Sequence, residues 1–126
     1  NAIKDFDSSL ILLALSGSKM IEAAKQVGIK YASEVFADRA YEADGSLRAR
    51  KLENSMITDE DLAVERVIKM VQTGKVTAYT GEEIDIEAHS VCLHGDSEKA
   101  LVFVQKLNED FGKNDIKTVD LIEAIK

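Results

Sequence analysis

The chain has 126 residues, of which 45% are hydrophobic, and this length and composition predict one compact domain. Its 16 basic and 23 acidic side chains give a net charge of −7 without a Lys/Arg cluster, which argues against nucleic acid and anionic membranes as partners. No apolar run reaches the roughly 18 residues of a membrane span, and the first residues do not resemble a signal peptide, so we expect a cytoplasmic protein. The single cysteine, Cys92, lies in an apolar run, where a buried and unreactive thiol is the common outcome.

The first elements predict one βα unit. Residues 1–7 carry apolar side chains spaced as on one face of a helix, and they predict its last turn. The unbroken apolar run Leu10–Leu15 is typical of a strand that is covered on both faces in a parallel sheet. After the S-G-S loop at Ser16–Ser18, we expect a helix to about Val27, with Gly28 as its C-terminal cap.

The second predicted strand, Tyr31–Phe36, leads directly into a group of polar side chains. Asp38, Arg39, Tyr41 and Asp44 follow it, and all four can hold a polar ligand. In parallel sheets the ligand groups sit on loops that leave the carboxyl ends of strands, so this stretch is the leading candidate for a site. The alternative is an Asp–Arg ion pair that closes an ordinary surface turn.

The middle of the chain predicts a long loop, a helix and a hairpin. Ser46–Ser55 has little periodicity, which favours a functional loop that carries Arg48 and Arg50. Thr58, with an acidic residue three positions later, fits a capping box that opens a helix ending at Gly74. Residues 75–88 contain two short β-prone runs around a turn, which predicts a hairpin added to the βα repeat.

The last third predicts another βα unit. Ser90–Leu93 is typical of a buried strand, and Ser97 is expected to cap the following helix, which Gly112 closes. The predicted apolar stripe of this helix is Ala100, Val104, Leu107 and Phe111. From Asp115 onward, the sequence allows a final strand followed by a helical turn.

Each of the three buried-type strands is followed at once by a loop with polar or glycine chemistry. If the strands are parallel, these loops share one face of the sheet, as in the active sites of α/β enzymes. His94 follows the third such strand, and histidine is the side chain that carries protons near neutral pH. Asp96 or Asp38 could orient this histidine or hold Mg²⁺ through carboxylate oxygens. The alternative for His94 is a strand-end histidine bonded to backbone, and His89 is expected to be an ordinary surface residue.

Two motifs carry a family resemblance. E-V-F-A-D-R-A-Y at Glu34–Tyr41 is followed by D-G at Asp44-Gly45, and C-L-H-G-D stands at Cys92–Asp96. L-x-x-S-G-S at Leu13–Ser18 and M-V-x-x-G at Met70–Gly74 support them in order and spacing. Together they resemble the LamB/YcsF family, which is the family of the A component of 5-oxoprolinase. The resemblance covers the whole chain, but only the carboxyl-terminal half of the family's length.

The resemblance implies an α/β fold, namely the carboxyl-terminal part of a TIM-like, distorted (β/α)7 barrel related to the glycoside hydrolase/deacetylase superfamily, with the hairpin appended. A whole barrel takes about 250 residues, so we expect a fragment whose exposed sheet edges favour self-association. The implied reaction is ATP-dependent opening of the lactam of 5-oxoproline to glutamate, with partner subunits B and C. Mg²⁺ follows from the use of ATP.

The implied chemistry assigns roles by residue type. The candidate catalytic residues are His94, Asp38 and Asp96. The candidate substrate-binding residues are Arg39, Tyr41, Glu34 and Asp44, and the arginine could grip a carboxylate through two hydrogen bonds. The candidate phosphate-binding residues are Arg48, Arg50, Ser16, Gly17 and Ser18. Two alternatives stay open: a non-catalytic scaffold or binding subunit, and a metal-dependent deacetylase-like hydrolase of a carbohydrate or amide, for which two histidines supply few Zn²⁺ ligands.

Overall fold

The computed structural model of the protein describes residues 1–95 and 99–126. The elements in this part of the chain are, in order, α1 (Ala2–Phe6), β1 (Ile11–Leu15), α2 (Lys19–Val27), β2 (Lys30–Phe36), α3 (Glu60–Thr73), β3 (Lys75–Thr77), β4 (Glu83–Asp85), β5 (Ser90–Cys92), α4 (Ala100–Lys113) and α5 (Leu121–Ala124). Helices and strands alternate from α1 to β3, and the α/β class predicted from the sequence is confirmed.

Strands β1, β2 and β5 form a parallel sheet with β2 in the centre. In the register of the sheet, Leu15 lies beside Glu34, and Phe36 lies beside Cys92. Because the strands are parallel, the loops that follow them all leave from the carboxyl ends of the strands, on the side of the sheet that is called its carboxyl edge. The sheet therefore brings together the loop after Leu15, the loop after Phe36 and the loop after Cys92.

Alternating side chains give this sheet two different faces. On one face, Val35 is fully buried and packs with Met70 of α3, Val76 of β3 and Tyr41. On the other face, Leu13 is 43% exposed. This second face is called the open face, and in the register of the sheet it includes Ile11, Leu13, Glu34, Phe36 and Cys92.

A second cluster of apolar side chains joins α3 and α4 to the end of β2. Ala37 packs there against Val67 of α3 and against Phe103 and Leu107 of α4. These contacts fix both helices beside the carboxyl edge of the sheet, next to the loops that carry the candidate site.

The caps of α2 and α3 show how far local sequence signals determine the fold. Gly28 and Gly74 end these helices with positive φ angles of 72° and 63°, as predicted. The predicted N-cap Thr58 is wrong by one position, because the carboxylate of Asp59 accepts a hydrogen bond from the Leu62 N–H at 3.0 Å. The predicted hairpin is confirmed, since β3 and β4 pair antiparallel.

The last helices differ from the prediction in three ways. Helix α4 continues through Gly112 and ends at Lys113. Its buried residues are Phe103 and Leu107, whereas Val104, which the sequence pattern places in the apolar stripe, is 39% exposed. Residues 115–126 contain the short helix α5 but no strand, and Ser97 lies outside the described residues. Among the residues that the structure describes, no helix is long and apolar enough to cross a membrane.

Candidate functional site

The loop after β2 folds back on itself before α3 begins. The Asp38 carbonyl accepts a hydrogen bond from the Ile57 N–H at 2.8 Å, and the Ala40 N–H donates to the Ser55 carbonyl at 3.0 Å. The Ala40 carbonyl in turn accepts from the Arg48 N–H at 2.9 Å. These backbone bonds hold Asp38 in a fixed position at the carboxyl end of β2.

Asp38 and His94 meet at this edge of the sheet. The Nδ1 atom of His94 lies 2.9 Å from Oδ2 of Asp38, and the ring of Phe36 lies 5.9 Å from the imidazole, centroid to centroid. An ionised carboxylate can only accept hydrogen bonds, so with an ionised Asp38 this contact requires the proton of His94 to be on Nδ1. The other ring nitrogen, Nε2, has no hydrogen-bond partner within the described part of the chain, so it is available as a proton acceptor.

The second carboxylate oxygen of Asp38 is enclosed by the protein. Oδ1 is buried and has no hydrogen-bond partner among residues 1–95 and 99–126. A buried acceptor without a donor is energetically costly, by about 1–3 kcal/mol, and such groups in native proteins call for an explanation. Because this oxygen has almost no accessible surface, a donor can reach it only after a shift of the Asp38 side chain or its loop.

Both side chains line a cleft of about 560 Å³, a volume typical of small-molecule sites. The cleft lies between the loop after β2, the loop after β5 and helices α3 and α4. Its polar lining residues are Asp38, Arg50, Thr58, Glu60, His94 and Lys99. Its apolar lining residues are Met56, Ile57, Ala63, Leu93, Ala100 and Phe103. The cleft thus joins an acid–base pair to an apolar wall.

Arg39 is buried beneath the loop and is absent from the cleft lining. The residue is only 7% exposed, and its Nη2 donates to the carbonyl of Arg48 at 2.7 Å. Its Nε has no partner among the described residues. The guanidinium therefore ties two parts of the loop together, and the predicted grip on a substrate carboxylate is not available to it in this arrangement.

Tyr41 is likewise part of the core. It is fully buried, and its hydroxyl oxygen accepts a hydrogen bond from the Phe36 N–H at 2.9 Å. Burial raises the pKa of the Tyr41 phenol. In this arrangement the Tyr41 side chain is part of the core and is absent from the cleft lining, and its substrate-binding role stays a prediction.

The other candidate residues on this loop differ in whether their side chains already have a partner within the protein. The guanidinium of Arg48 pairs with Glu42 at 2.8 Å and lies 3.6 Å from the ring centroid of Tyr79, so it is already engaged. Asp44 is exposed and accepts hydrogen bonds from the hydroxyl and N–H of Ser46, which lower its pKa. Arg50 is the predicted phosphate-binding arginine that reaches the cleft.

The surroundings of Ser16, Gly17 and Ser18 disfavour a phosphate. The Ser16 hydroxyl accepts a hydrogen bond from the Glu87 N–H at 3.0 Å, and Gly17 turns the chain with a φ of 70°. The Ser18 side chain makes no capping bond to α2. The hollow at this loop is also lined by the carboxylates of Glu22, Asp85 and Glu87, which repel an anion.

Cys92 and Glu34 lie near the acid–base pair on the open face. Burial raises the pKa of the Cys92 thiol, and the negative charges of Glu34 and Asp38 add to this effect. The thiol is therefore held in its protonated form, which agrees with the prediction of an unreactive cysteine. Asp96, the third catalytic candidate, lies outside the described residues. Within the described ranges, no group of three or more His, Cys, Asp or Glu side chains is placed to bind a metal.

Sequence reasoning missed two features of this region. His89, expected at the surface, is half-buried: its Nδ1 accepts from the Ser33 N–H at 3.1 Å, and its own N–H donates to the Ser33 carbonyl at 2.9 Å. The cleft residues Glu60 and Phe103 were also missed. The sequence contained a signal for both residues, because each lies in the first turns of a predicted helix that starts beside a site loop.

The parallel strands, with an acid–base pair and a cleft at their carboxyl edge, define an α/β protein of the kind that binds small molecules at this edge. A model of the LamB/YcsF family matches residues 1–126, and the chain belongs to that family.

Relatives that are named as the A component of 5-oxoprolinase are similar to this chain over nearly its whole length. The relative from Campylobacter jejuni subsp. doylei is 55% identical over 116 residues, which cover 92% of this chain and 46% of that protein. The relative from Alkaliphilus metalliredigens is 46% identical over 125 residues, which cover 99% of this chain and 49% of that protein. The chain therefore spans about half the length of the curated relatives that it matches.

A solved structure also supports the fold. The crystal structure of a lactam utilization protein from Thermus thermophilus matches with a TM-score of 0.77 and 35% sequence identity. The match covers 88% of this chain and 45% of that one. The α/β arrangement described above is thus shared with a protein that is named for lactam utilization.

Proposed function

We propose that this chain supplies part of the active site of an ATP-dependent 5-oxoprolinase, which hydrolyses the lactam of 5-oxoproline to glutamate. The observation that carries the proposal is the contact between Asp38 and His94 at the wall of the cleft. The substrate class comes from the relatives, which are named as a 5-oxoprolinase component and as a lactam utilization protein.

The chemistry of lactam opening explains why such a pair is needed. A lactam carbonyl is a poor electrophile, and transfer of a phosphoryl group from ATP to its oxygen, with release of ADP, activates the carbonyl carbon. Water then attacks this carbon and must lose a proton as it does so. The ring C–N bond breaks as the ring nitrogen takes up a proton, and a second water hydrolyses the resulting acyl phosphate to phosphate and the free carboxylate of glutamate. His94 accepts the proton of the first water at Nε2, while Asp38 holds Nδ1–H and stabilises the imidazolium that forms.

The cleft also accounts for a small cyclic substrate. Ile57 and Phe103 offer an apolar wall for ring methylenes. Mg²⁺ would accompany ATP as its counter-ion. Among residues 1–95 and 99–126, no group of three or more His, Cys, Asp or Glu side chains is placed to hold it.

We further propose that turnover requires partners. The relatives are named as one component of a multi-subunit enzyme, and this chain spans about half of their length. Subunits B and C, together with the remaining length found in relatives, would complete the TIM-like barrel and the nucleotide site. The 126-residue chain alone is expected to produce no ADP or glutamate from 5-oxoproline and ATP.

The test uses this sequence in the assembled enzyme. His94→Ala should lower kcat by about 10²–10⁴-fold, the usual contribution of a general base, with little change in thermal stability. Glu53→Gln is the matched control, because Glu53 is an exposed carboxylate on the same loop and is absent from the cleft lining. ADP and glutamate are measured in parallel. Wild-type turnover in His94→Ala would overturn the catalytic role and favour a scaffold role.

A further inference from the structure

The loop after β2 carries the arginines Arg39, Arg48 and Arg50, and the structure separates their roles. Arg39 is buried and holds the carbonyl of Arg48. Arg48 pairs with Glu42 and stacks on Tyr79. Both guanidinium groups are therefore committed to the loop itself, which leaves Arg50 as the arginine of this loop that faces the cleft.

Arg50 differs from the other cation of the cleft wall. Lys99 lies 3.7 Å from the carboxylate of Glu60, which neutralises it in part. Within residues 1–95 and 99–126, no carboxylate lies within ion-pair distance of the Arg50 guanidinium. An arginine at a cleft without an acidic partner is ready to pair with an anion from outside the protein.

We infer that Arg50 is the oxyanion anchor of this cleft and thereby selects ligands that carry a carboxylate or a phosphoryl group. The planar guanidinium matches either group with two parallel hydrogen bonds. The carboxylates of Asp38 and Glu60 line other parts of the same cleft and repel an anion there. A ligand with one anionic group is thus oriented with that group at Arg50 and its neutral part toward Asp38 and His94.

This inference rests on the proposed function for the identity of the ligand, because 5-oxoproline is a lactam with one carboxylate. It adds a specificity determinant: the carboxylate, rather than the lactam ring, is what the cleft recognises first. A neutral lactam of the same ring size, 2-pyrrolidinone, has the ring without the anion. The pair of compounds therefore separates the two contributions.

The experiment measures binding of 5-oxoproline and 2-pyrrolidinone to the 126-residue chain by NMR titration. Wild type should bind 5-oxoproline at least about tenfold more tightly than the neutral lactam, since a charge-assisted pair is among the stronger polar contacts. Arg50→Gln should remove this preference, and Arg50→Lys should retain part of it. Lys51→Gln is the control, because Lys51 is the next residue, is exposed and is absent from the cleft lining.

Competition with inorganic phosphate tests whether Arg50 binds phosphoryl groups as well as carboxylates. If phosphate displaces 5-oxoproline from wild type but not from Arg50→Gln, the anchor also holds phosphoryl groups. If phosphate leaves 5-oxoproline in place, the anchor is specific for the carboxylate. Both results support an oxyanion anchor at Arg50.

Three results would overturn the inference: equal affinity of wild type for the two lactams, an unchanged preference in Arg50→Gln, or no binding of either oxyanion to wild type at tens of millimolar. These outcomes are separate from failure of the proposed function. His94→Ala should lose turnover in the assembled enzyme, yet the His94→Ala chain should still prefer 5-oxoproline over 2-pyrrolidinone.

Discussion

The carboxylate of Asp38 lies 2.9 Å from Nδ1 of His94, although 56 positions of sequence separate the two residues. The register of the sheet explains this contact. Phe36 of β2 lies beside Cys92 of β5 in parallel pairing, so the residues two positions further along each chain also lie side by side. The acid–base pair is therefore a direct consequence of strand alignment.

The contact with Asp38 should fix the tautomer of His94. In the wild-type chain, neutral His94 should carry its proton on Nδ1, because the carboxylate only accepts hydrogen bonds. In Asp38→Asn, the side-chain amide can donate to Nδ1, so a larger population with the proton on Nε2 is expected. The nitrogen chemical shifts of the imidazole measure the two populations. Asp44→Asn should leave them unchanged, and an identical tautomer in wild type and Asp38→Asn would contradict the assignment.

The N-cap of α3 gives a prediction about stability alone. Asp59→Ala removes the acceptor for the Leu62 N–H and should lower the free energy of unfolding by about 0.5–2 kcal/mol. Thr58→Ala removes the residue that the sequence pattern favours and should cost less than about 0.5 kcal/mol. Urea unfolding of both variants provides the comparison. A larger loss in Thr58→Ala would show that Thr58 is the true cap.

Tyr41 should make the stability depend on alkaline pH. Burial raises its pKa, so the folded state holds the phenol proton more tightly than the unfolded chain, in which the pKa is near 10. The resulting stabilisation is fully present below about pH 10 and is lost as the pH rises through the folded-state pKa. Tyr41→Phe should flatten the fall in stability above about pH 10.

Tyr41→Phe should also cost about 1–3 kcal/mol at neutral pH, because the buried Phe36 N–H loses its acceptor. Tyr79→Phe is the control, since Tyr79 is 47% exposed and a phenylalanine ring can still stack on Arg48. Chemical unfolding at several pH values measures both effects. An unchanged alkaline dependence in Tyr41→Phe would assign it to another group.

The sequence was informative where a local signal has one structural meaning. The unbroken apolar run ending at Leu15 predicted a parallel strand, which is confirmed, although the expected cover on both faces is wrong because Leu13 is 43% exposed. Gly28 and Gly74 predicted helix ends. The juxtaposition of Asp38 and His94 was also predictable, because both follow buried strands whose carboxyl ends meet at one edge. These features depend on backbone geometry, which short patterns specify.

The direction of side chains within the long loop was not predictable. Arg39, Arg48 and Arg50 are alike in type, and only the fold of the loop decides which of them is buried, paired or directed to the cleft. The same holds for α4, where the packing against α3 buries Phe103 and exposes Val104. Such choices depend on tertiary contacts that have no period in the sequence.

The open face of the sheet leads to the last prediction, which concerns association of the chain. Leu13 is 43% exposed on edge strand β1, and Phe36 lies half-buried on the same face. Burial of a few hundred Å² of apolar surface at about 25 cal/mol per Å² favours association by several kcal/mol. The wild-type chain should therefore self-associate as its concentration rises.

Leu13→Lys should shift this equilibrium toward the monomer, because a charged side chain would have to be buried in the contact. Leu101→Lys is a demanding control: Leu101 is 69% exposed, more than Leu13, but it belongs to helix α4 and not to the sheet. Sedimentation velocity over a wide concentration range compares the three chains. A compact wild-type monomer at high concentration would exclude association, and a monomeric Leu101→Lys would place the contact on α4 instead of the sheet.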